Sequence, residues 1–302
     1  MNLNTEKIEI KKWTTPSKWI LAGEHSVLRG GEALVFPLFS KSMDWSFLQT
    51  ADSLKIEYFG ETAQDLEMIF GFVLEKACEA YGIERKDLNG QLQIDSEILF
   101  GMGLGASASL AVGLAKLFKA SLKTDFDEVD FAQKIENFFH GESSGVDVSV
   151  VYNQKPLIFR RNALPQLIEH YNLPILTLSH CGRRGPTKDC VEKVKNLFVV
   201  NPTLAAQVDL RMVESVQIFK TLLQDGSLDV WIQALEQAHS CFEDWDLVPK
   251  EAKEHIQMLK VHGARACKMT GSGGGGYILS LWEQHSHYEN IKTIIPLDQK
   301  HG

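Results

Sequence analysis

The chain has 302 residues, 44% of them hydrophobic and 23% charged, a balance that excludes a disordered chain or a coiled coil. Thirty-one Lys and Arg against 39 Asp and Glu give a net charge of −8. That argues against a nucleic-acid binder but leaves room for a local basic pocket. No stretch is long and apolar enough to span a membrane, and the polar segment 1–12 has no signal-peptide core. A cytoplasmic location away from membranes is therefore expected. At roughly 100–200 residues per domain the length predicts two domains or one large one. Cys78, Cys181, Cys190, Cys241 and Cys267 form no C-x-x-C pair, so they are expected to be reduced, mostly buried thiols.

Short strands are expected at 8–10, 19–21 and 34–38, and a further one at 54–59 from its alternation. Leu66, Ile69, Phe70, Val73 and Ala77 recur at helical spacing, which predicts a helix over 66–81. A strand at 92–94 then feeds a glycine-rich turn, and Leu110, Leu114, Leu117 and Phe118 mark one face of a helix over 107–120. A second helix is expected over 129–139. The apolar runs 146–152 and 156–159 read as two strands around a turn at Asn153 and Gln154. A strand at 173–178 opens the second half, followed by helices over 187–197, 202–223, 228–239 and 249–262 and a strand at 277–282. The mixture predicts an α+β protein with a boundary near 162–170, giving domains at 1–165 and 166–302.

Four segments carry candidate chemistry. The first, FGMGLGASAS at 100–109, places three alternating glycines before a helix. Glycine allows close backbone approach, and a helix start offers free N–H groups and a positive dipole end to a phosphate. A tight strand-to-helix turn is the alternative reading. No Gly-Lys-Ser/Thr closes the segment, so it is not a Walker A loop. The second, PSKWILAGEHSV at 16–27, contains Lys18 and His25, each of which taken alone reads as a surface charge and a structural histidine. In the third, ENFFHGESSGVD at 136–147, Asp147 enters an apolar run and needs a cation, a capping role or a catalytic task. The fourth, KMTGSGGGGY at 268–277, sets four consecutive glycines between regular elements, which suits a close approach to another loop or a ligand.

Together and in this order, the four segments resemble the GHMP kinases, named for galactokinase, homoserine kinase, mevalonate kinase and phosphomevalonate kinase. The mevalonate kinase group is the most similar. Its pattern P-x-K-x-I-L-x-G-E-H-x-V-x-x-G is filled by Pro16, Lys18, Ile20, Leu21, Gly23, Glu24, His25, Val27 and Gly30. Its E…H-G-x-P-S-G-x-D-N is met by Glu136, His140, Gly141, Ser144, Gly145 and Asp147, and its T-G-x-G-G-G-G is complete from Thr270 to Gly276. Its G-x-G-L-G-S-S-A is met by Gly101, Gly103, Leu104, Gly105, Ser107 and Ala108. Ala106 departs from a serine, Ser143 from a proline and Val148 from an asparagine.

The resemblance implies a two-domain fold, with an N-terminal domain like ribosomal protein S5 and a ferredoxin-like C-terminal domain, and a site in the cleft between them. It implies ATP as co-substrate and transfer of its γ-phosphoryl to the 5-hydroxyl of (R)-mevalonate, in the mevalonate pathway. The phosphates would lie on the backbone of Gly101, Met102, Gly103, Leu104, Gly105, Ala106, Ser107 and Ala108. Ser107 and Glu136 would hold Mg²⁺. Asp147 would accept the hydroxyl proton, and Lys18 would favour the developing alkoxide. His25, Gly145, Arg183, Arg184, Thr187 and Gly273 would shape the acceptor pocket, with Arg183 or Arg184 on the acceptor's carboxylate. The resemblance allows a homodimer. A phosphomevalonate kinase or another small-molecule kinase is the runner-up, and a non-catalytic metabolite sensor on the same fold is the alternative from another class.

Overall fold

The computed structural model describes residues 10–122, 126–141, 143–284, 291, 293 and 294. Residues 8 and 9 of the first expected strand lie outside these. That strand and the one expected at 19–21 belong to a single strand, β1 (Ile10–Ala22), which is antiparallel to β2 (Glu32–Ser53). Pro16 has no N–H to give to the ladder, and the register shifts there. Pro16 lies opposite Ser42 and Ser17 opposite Leu38, so residues 39–41 of β2 bulge. β1 occupies one edge of β2. β5 (Leu157–Arg160) and β4 (Asn89–Ser96) share the other edge at its two ends. β3 (Lys55–Phe59) adds parallel to β4, and β6 (Gln166–Leu167) adds antiparallel to β5.

Four helices belong to this first sheet: α1 (Ala63–Tyr81), α2 (Ala106–Leu122), α3 (Glu128–His140) and α4 (Val146–Asn153). α2 lies against β1 and β2 with α3 and α4 beside it, and nearly its whole surface is buried. α4 corrects the strand expected at 146–152. Its run of valines is buried on all sides, and a short, fully buried apolar run has no periodicity to separate helix from strand. Gly145, at φ +87°, turns the chain into the helix. The turn expected at Asn153 and Gln154 is its C-terminal end.

The second half contributes β7 (Ile175–His180), α5 (Thr187–Val200), α6 (Pro202–Leu222), α7 (Leu228–Asp244), α8 (Lys250–Val261), β8 (Ala266–Met269) and β9 (Tyr277–Trp282). β8 and β6 have no counterpart among the expected elements. Each is too short to show a period. The sheet order is β7-β9-β8, and Ile294 pairs antiparallel with Leu178 on the free edge of β7. Taken with Ile294 as the fourth strand position, this is the 4-1-3-2 order of a ferredoxin-like sheet. α6 reaches back over the first sheet, where Lys220 pairs with Glu32 at 3.0 Å and the Gly23 N–H points at the Met212 sulfur at 3.3 Å. The buried side chains form one continuous core, and the five cysteines are free and buried. Among the described residues no helix is long and apolar enough to cross a membrane.

Candidate active site

The glycine-rich turn runs beside β1. The Lys18 N–H donates to the Leu104 carbonyl at 3.0 Å, and the Ser109 hydroxyl donates to the Pro16 carbonyl at 2.5 Å. These bonds fix the start of α2 against the strand that carries Lys18. Gly105 has φ +76°, and a Cβ there would stand 2.8 Å from Lys18 Cγ, so this position needs glycine both for its backbone and for the lysine stem. Gly101, Gly103, Gly105, Ala106 and Ser107 line a cavity of about 440 Å³. Met102, Leu104 and Ala108 do not. Leu104 and Ala108 are buried, and Met102 packs on the core with its carbonyl turned to Gly276. The cavity therefore meets the turn through its glycines and the first residues of α2, whose opening amides have no carbonyl four residues back.

Lys18 is 3% exposed and reaches Asp147 Oδ2 at 3.1 Å. Asp147 lies in the first turn of α4, whose opening Val146 N–H is taken by the Ser144 hydroxyl at 3.3 Å. Its side chain, 24% exposed, opens on the cavity. Glu136 projects from α3 into the same cavity and is almost completely buried. Burial, then the charge of Asp147, push its carboxyl up to about 8, while the Ser143 hydroxyl and Lys18 pull the other way. Ser143 donates to Glu136 Oε2 at 2.8 Å. The residue that departs from the family's proline thus supplies Glu136 with a hydroxyl donor that proline lacks. Val148 instead turns into the core. Gly145 lies outside the cavity and acts as the hinge that starts α4.

The opposite wall joins the two halves in three places. The Thr270 hydroxyl accepts from the Ile20 N–H at 3.0 Å and donates to the Ile20 carbonyl at 2.9 Å. Lys268, 0% exposed, pairs with Glu24 at 2.5 Å, donates to the Met269 carbonyl at 2.6 Å and stands 5.1 Å over the Phe242 ring. Burial pushes Glu24 up and Lys268 down, each toward its neutral form. His25 Nε2 lies 2.9 Å from the Ser272 carbonyl, which makes it the donor, and its ring stands edge-on to Trp245. Burial lowers the His25 pKa to about 4, so it is neutral at pH 7. Its backbone has φ +58°, an uncommon value for a non-glycine residue that these contacts hold in place. The glycine run packs on the glycine-rich turn before α2, where a Cβ on Gly276 would lie 2.8 Å from the Met102 carbonyl. Gly273 rests on Leu247 and Phe242, outside the cavity, while Gly271 and Ser272 line it.

The segment between β7 and α5 separates residues that the sequence placed together. Arg183 is outside the cavity and forms an exposed pair with Glu251 at 3.1 Å. Arg184 is also outside the lining, but its Cδ would be 3.8 Å from a Cβ on Gly101, so it lies beside the glycine-rich turn before α2. Gly185, Pro186, Thr187 and Lys188 line the cavity, and the Thr187 and Ser272 hydroxyls are 3.3 Å apart. The expectation that Arg183 enters the pocket is corrected: Glu251 on α8, distant in sequence, holds it. Lys188 and Lys268 received no role from the sequence. The available signal was a lysine in the first turn of a helix that follows a glycine, and a lysine inside an otherwise apolar strand.

A family model described as the GHMP kinases N terminal domain matches residues 68–155. The mevalonate kinase of Thermococcus onnurineus (strain NA1) is 26% identical over 310 residues, covering 93% of this chain and 92% of that protein. The L. major mevalonate kinase solved in complex with R-mevalonate superposes with a TM-score of 0.77 at 18% identity, covering 95% of this chain and 91% of that one. A Streptococcus pneumoniae phosphomevalonate kinase, solved with phosphomevalonate and AMPPNP, gives 0.69 at 17% identity, covering 92% and 93%. At such identities the superpositions speak for the fold, and acceptors as different as these share it. Residues 68–155 thus resemble the N-terminal domain of the GHMP kinases, and over about nine-tenths of its length the chain is similar to mevalonate kinases.

Proposed function

We propose that this protein transfers the γ-phosphoryl group of ATP to the 5-hydroxyl of (R)-mevalonate, giving 5-phosphomevalonate and ADP. The observation that carries this reading is the Lys18–Asp147 pair at 3.1 Å, open to a cavity whose wall is a glycine turn leading into α2. The full-length likeness to mevalonate kinases selects the acceptor. In this reading Asp147 takes the hydroxyl proton as the acceptor oxygen bonds to the γ-phosphorus and the bond to the ADP oxygen breaks. Lys18 faces the oxygen on which negative charge grows. Phosphoryl transfer asks mainly for such positioning and charge neutralisation. The amides that open α2 receive the phosphates.

The residues also suit a magnesium ion. Glu136 is a buried carboxylate beside a second carboxylate, and the Ser107 hydroxyl lines the same cavity, an all-oxygen set that a hard divalent cation prefers. Glu136 and Ser107 would hold it. When bound, the ion supplies a Lewis acid to the phosphate oxygens. For the test, ADP release is followed by a coupled assay with mevalonate, 5-phosphomevalonate, galactose and homoserine as acceptors. A kcat/KM for mevalonate at least about a hundredfold above that for 5-phosphomevalonate is expected. Equal values, or a preference for the phosphate, overturn the acceptor assignment. ATP binding without turnover of any of the four favours the sensor.

A further inference from the structure

The charged groups lining the cavity are matched with one exception. Asp147 pairs with Lys18, Glu24 pairs with Lys268, and Glu136 accepts from Ser143. His25 is neutral at pH 7. Lys188 alone is different: among the described residues it lines the cavity with no ion pair and no hydrogen bond. Among those residues Lys18 is the other lysine in the wall, and no arginine lines it.

The course of the chain assigns this free charge to one end of the cavity. Arg184 lies against Gly101, at the phosphate-side turn. Gly185 then passes so close to the glycine run that a Cβ would stand 2.5 Å from the Gly273 carbonyl. Thr187 meets Ser272, whose carbonyl holds His25, and Val191, one turn further along α5, lines the cavity with Leu28. Residues 184–191 therefore cross from the phosphate side to the His25 side. Lys188 sits on the far side of that crossing, in the first turn of α5. Pro186 stands before this helix without a side-chain cap, so its opening amides and its dipole add to the positive potential.

We propose that Lys188 is the residue that reads the acceptor's carboxylate, and that it sets the preference for an anionic acceptor over a neutral alcohol of the same shape. The inference rests on the reading of the protein as a mevalonate kinase. A carboxylate excluded from water needs a cation and donors around it. Lys188 with the first turn of α5 provides both, on the side away from the nucleotide. Arg183 is spent on Glu251, and Arg184 faces the other end.

The test compares two acceptors, (R)-mevalonate and 3-methylpentane-1,3,5-triol, which has the same carbon skeleton with a hydroxymethyl group in place of the carboxylate. With Lys188→Met, the KM for mevalonate is expected to rise about 10- to 100-fold, the range for losing a hydrogen bond to a charged group. The KM for ATP stays within about twofold, and kcat/KM for the triol is unchanged, because the triol never used the charge. Lys188→Arg should restore most of the mevalonate affinity. Arg184→Met is the contrasting variant, with its effect on the KM for ATP. An unchanged mevalonate KM in Lys188→Met, or an equal loss for the triol, overturns the proposal. A wild-type protein that turns over another acceptor but not mevalonate overturns the functional reading itself, which separates the two failures. Circular dichroism on each variant checks the fold, and the exposed position of Lys188 makes loss of folding unexpected.

Discussion

Two lysine–carboxylate pairs flank the same cavity and do different things. Lys18 and Asp147 belong to the first half, on β1 and α4, and the aspartate side chain is 24% exposed to the cavity. Glu24 and Lys268 join the halves, and their side chains are 2% and 0% exposed. The open pair keeps a carboxylate within reach of a substrate. In the sealed pair Glu24 touches the cavity wall but is nearly fully buried, and its lysine is committed to the Met269 carbonyl and the Phe242 ring. Identical functional groups are thus divided by burial into one pair available for chemistry and one that holds the two halves in register. Removing one partner of a sealed pair leaves an uncompensated buried charge, whereas in the open pair the aspartate side chain, 24% exposed, stays within reach of water.

That contrast is sharpest in Asp147→Asn. Turnover should fall by about 10²–10⁴-fold, the usual share of a general base, with the unfolding midpoint nearly unchanged. A variant with more than about a tenth of the wild-type kcat breaks the catalytic half of the comparison. Lys268→Met should do the reverse. It should cost about 3–5 kcal/mol of stability in a urea titration, because Glu24 is left buried without its cation. Pairing it with Glu24→Gln should recover much of that loss. A stable Lys268→Met protein would mean the sealed pair contributes nothing to joining the halves.

A smaller effect is expected from pH. The folded pKa of His25 is lowered to about 4 from 6.5 by burial. Between those values the unfolded chain binds the proton and the folded protein does not, so stability falls as pH drops from about 6.5 toward 4. The loss from this residue should be on the order of 2–3 kcal/mol at pH 4.5. His25→Asn should flatten that acid limb. Denaturant titrations at pH 6.5, 5.5 and 4.5 measure it, and an unchanged slope in the variant would show that other groups govern acid unfolding.

Much of the site was legible because its parts are local. A glycine turn before a helix, as at 101–107, is a short-range pattern with its own backbone requirement, and it needs no knowledge of the rest of the chain. The same holds for the helical period that placed Glu136 on α3. The four-glycine run at 273–276 announced a close approach, but not its partner. That partner is the Met102 carbonyl for Gly276 and the Arg183 and Arg184 backbone for Gly275. The valines at 146–151 misled, because full burial removes the polar face that would have revealed a helix.

The arginines misled for a different reason. In the sequence Arg183, Arg184 and Lys188 are three equivalent cations near the start of one helix. Glu251, 68 residues later, takes the first, the glycine turn before α2 faces the second, and only the third reaches the cavity. By itself, the sequence determined which groups are present and part of the local backbone that carries them: the glycine turn and the helix that bears the Glu136 carboxylate. The tertiary structure alone decided which lysine faces the cavity and which is sealed between the halves. Charge and residue type are properties of the chain, while burial and the choice of partner depend on segments hundreds of residues apart coming together.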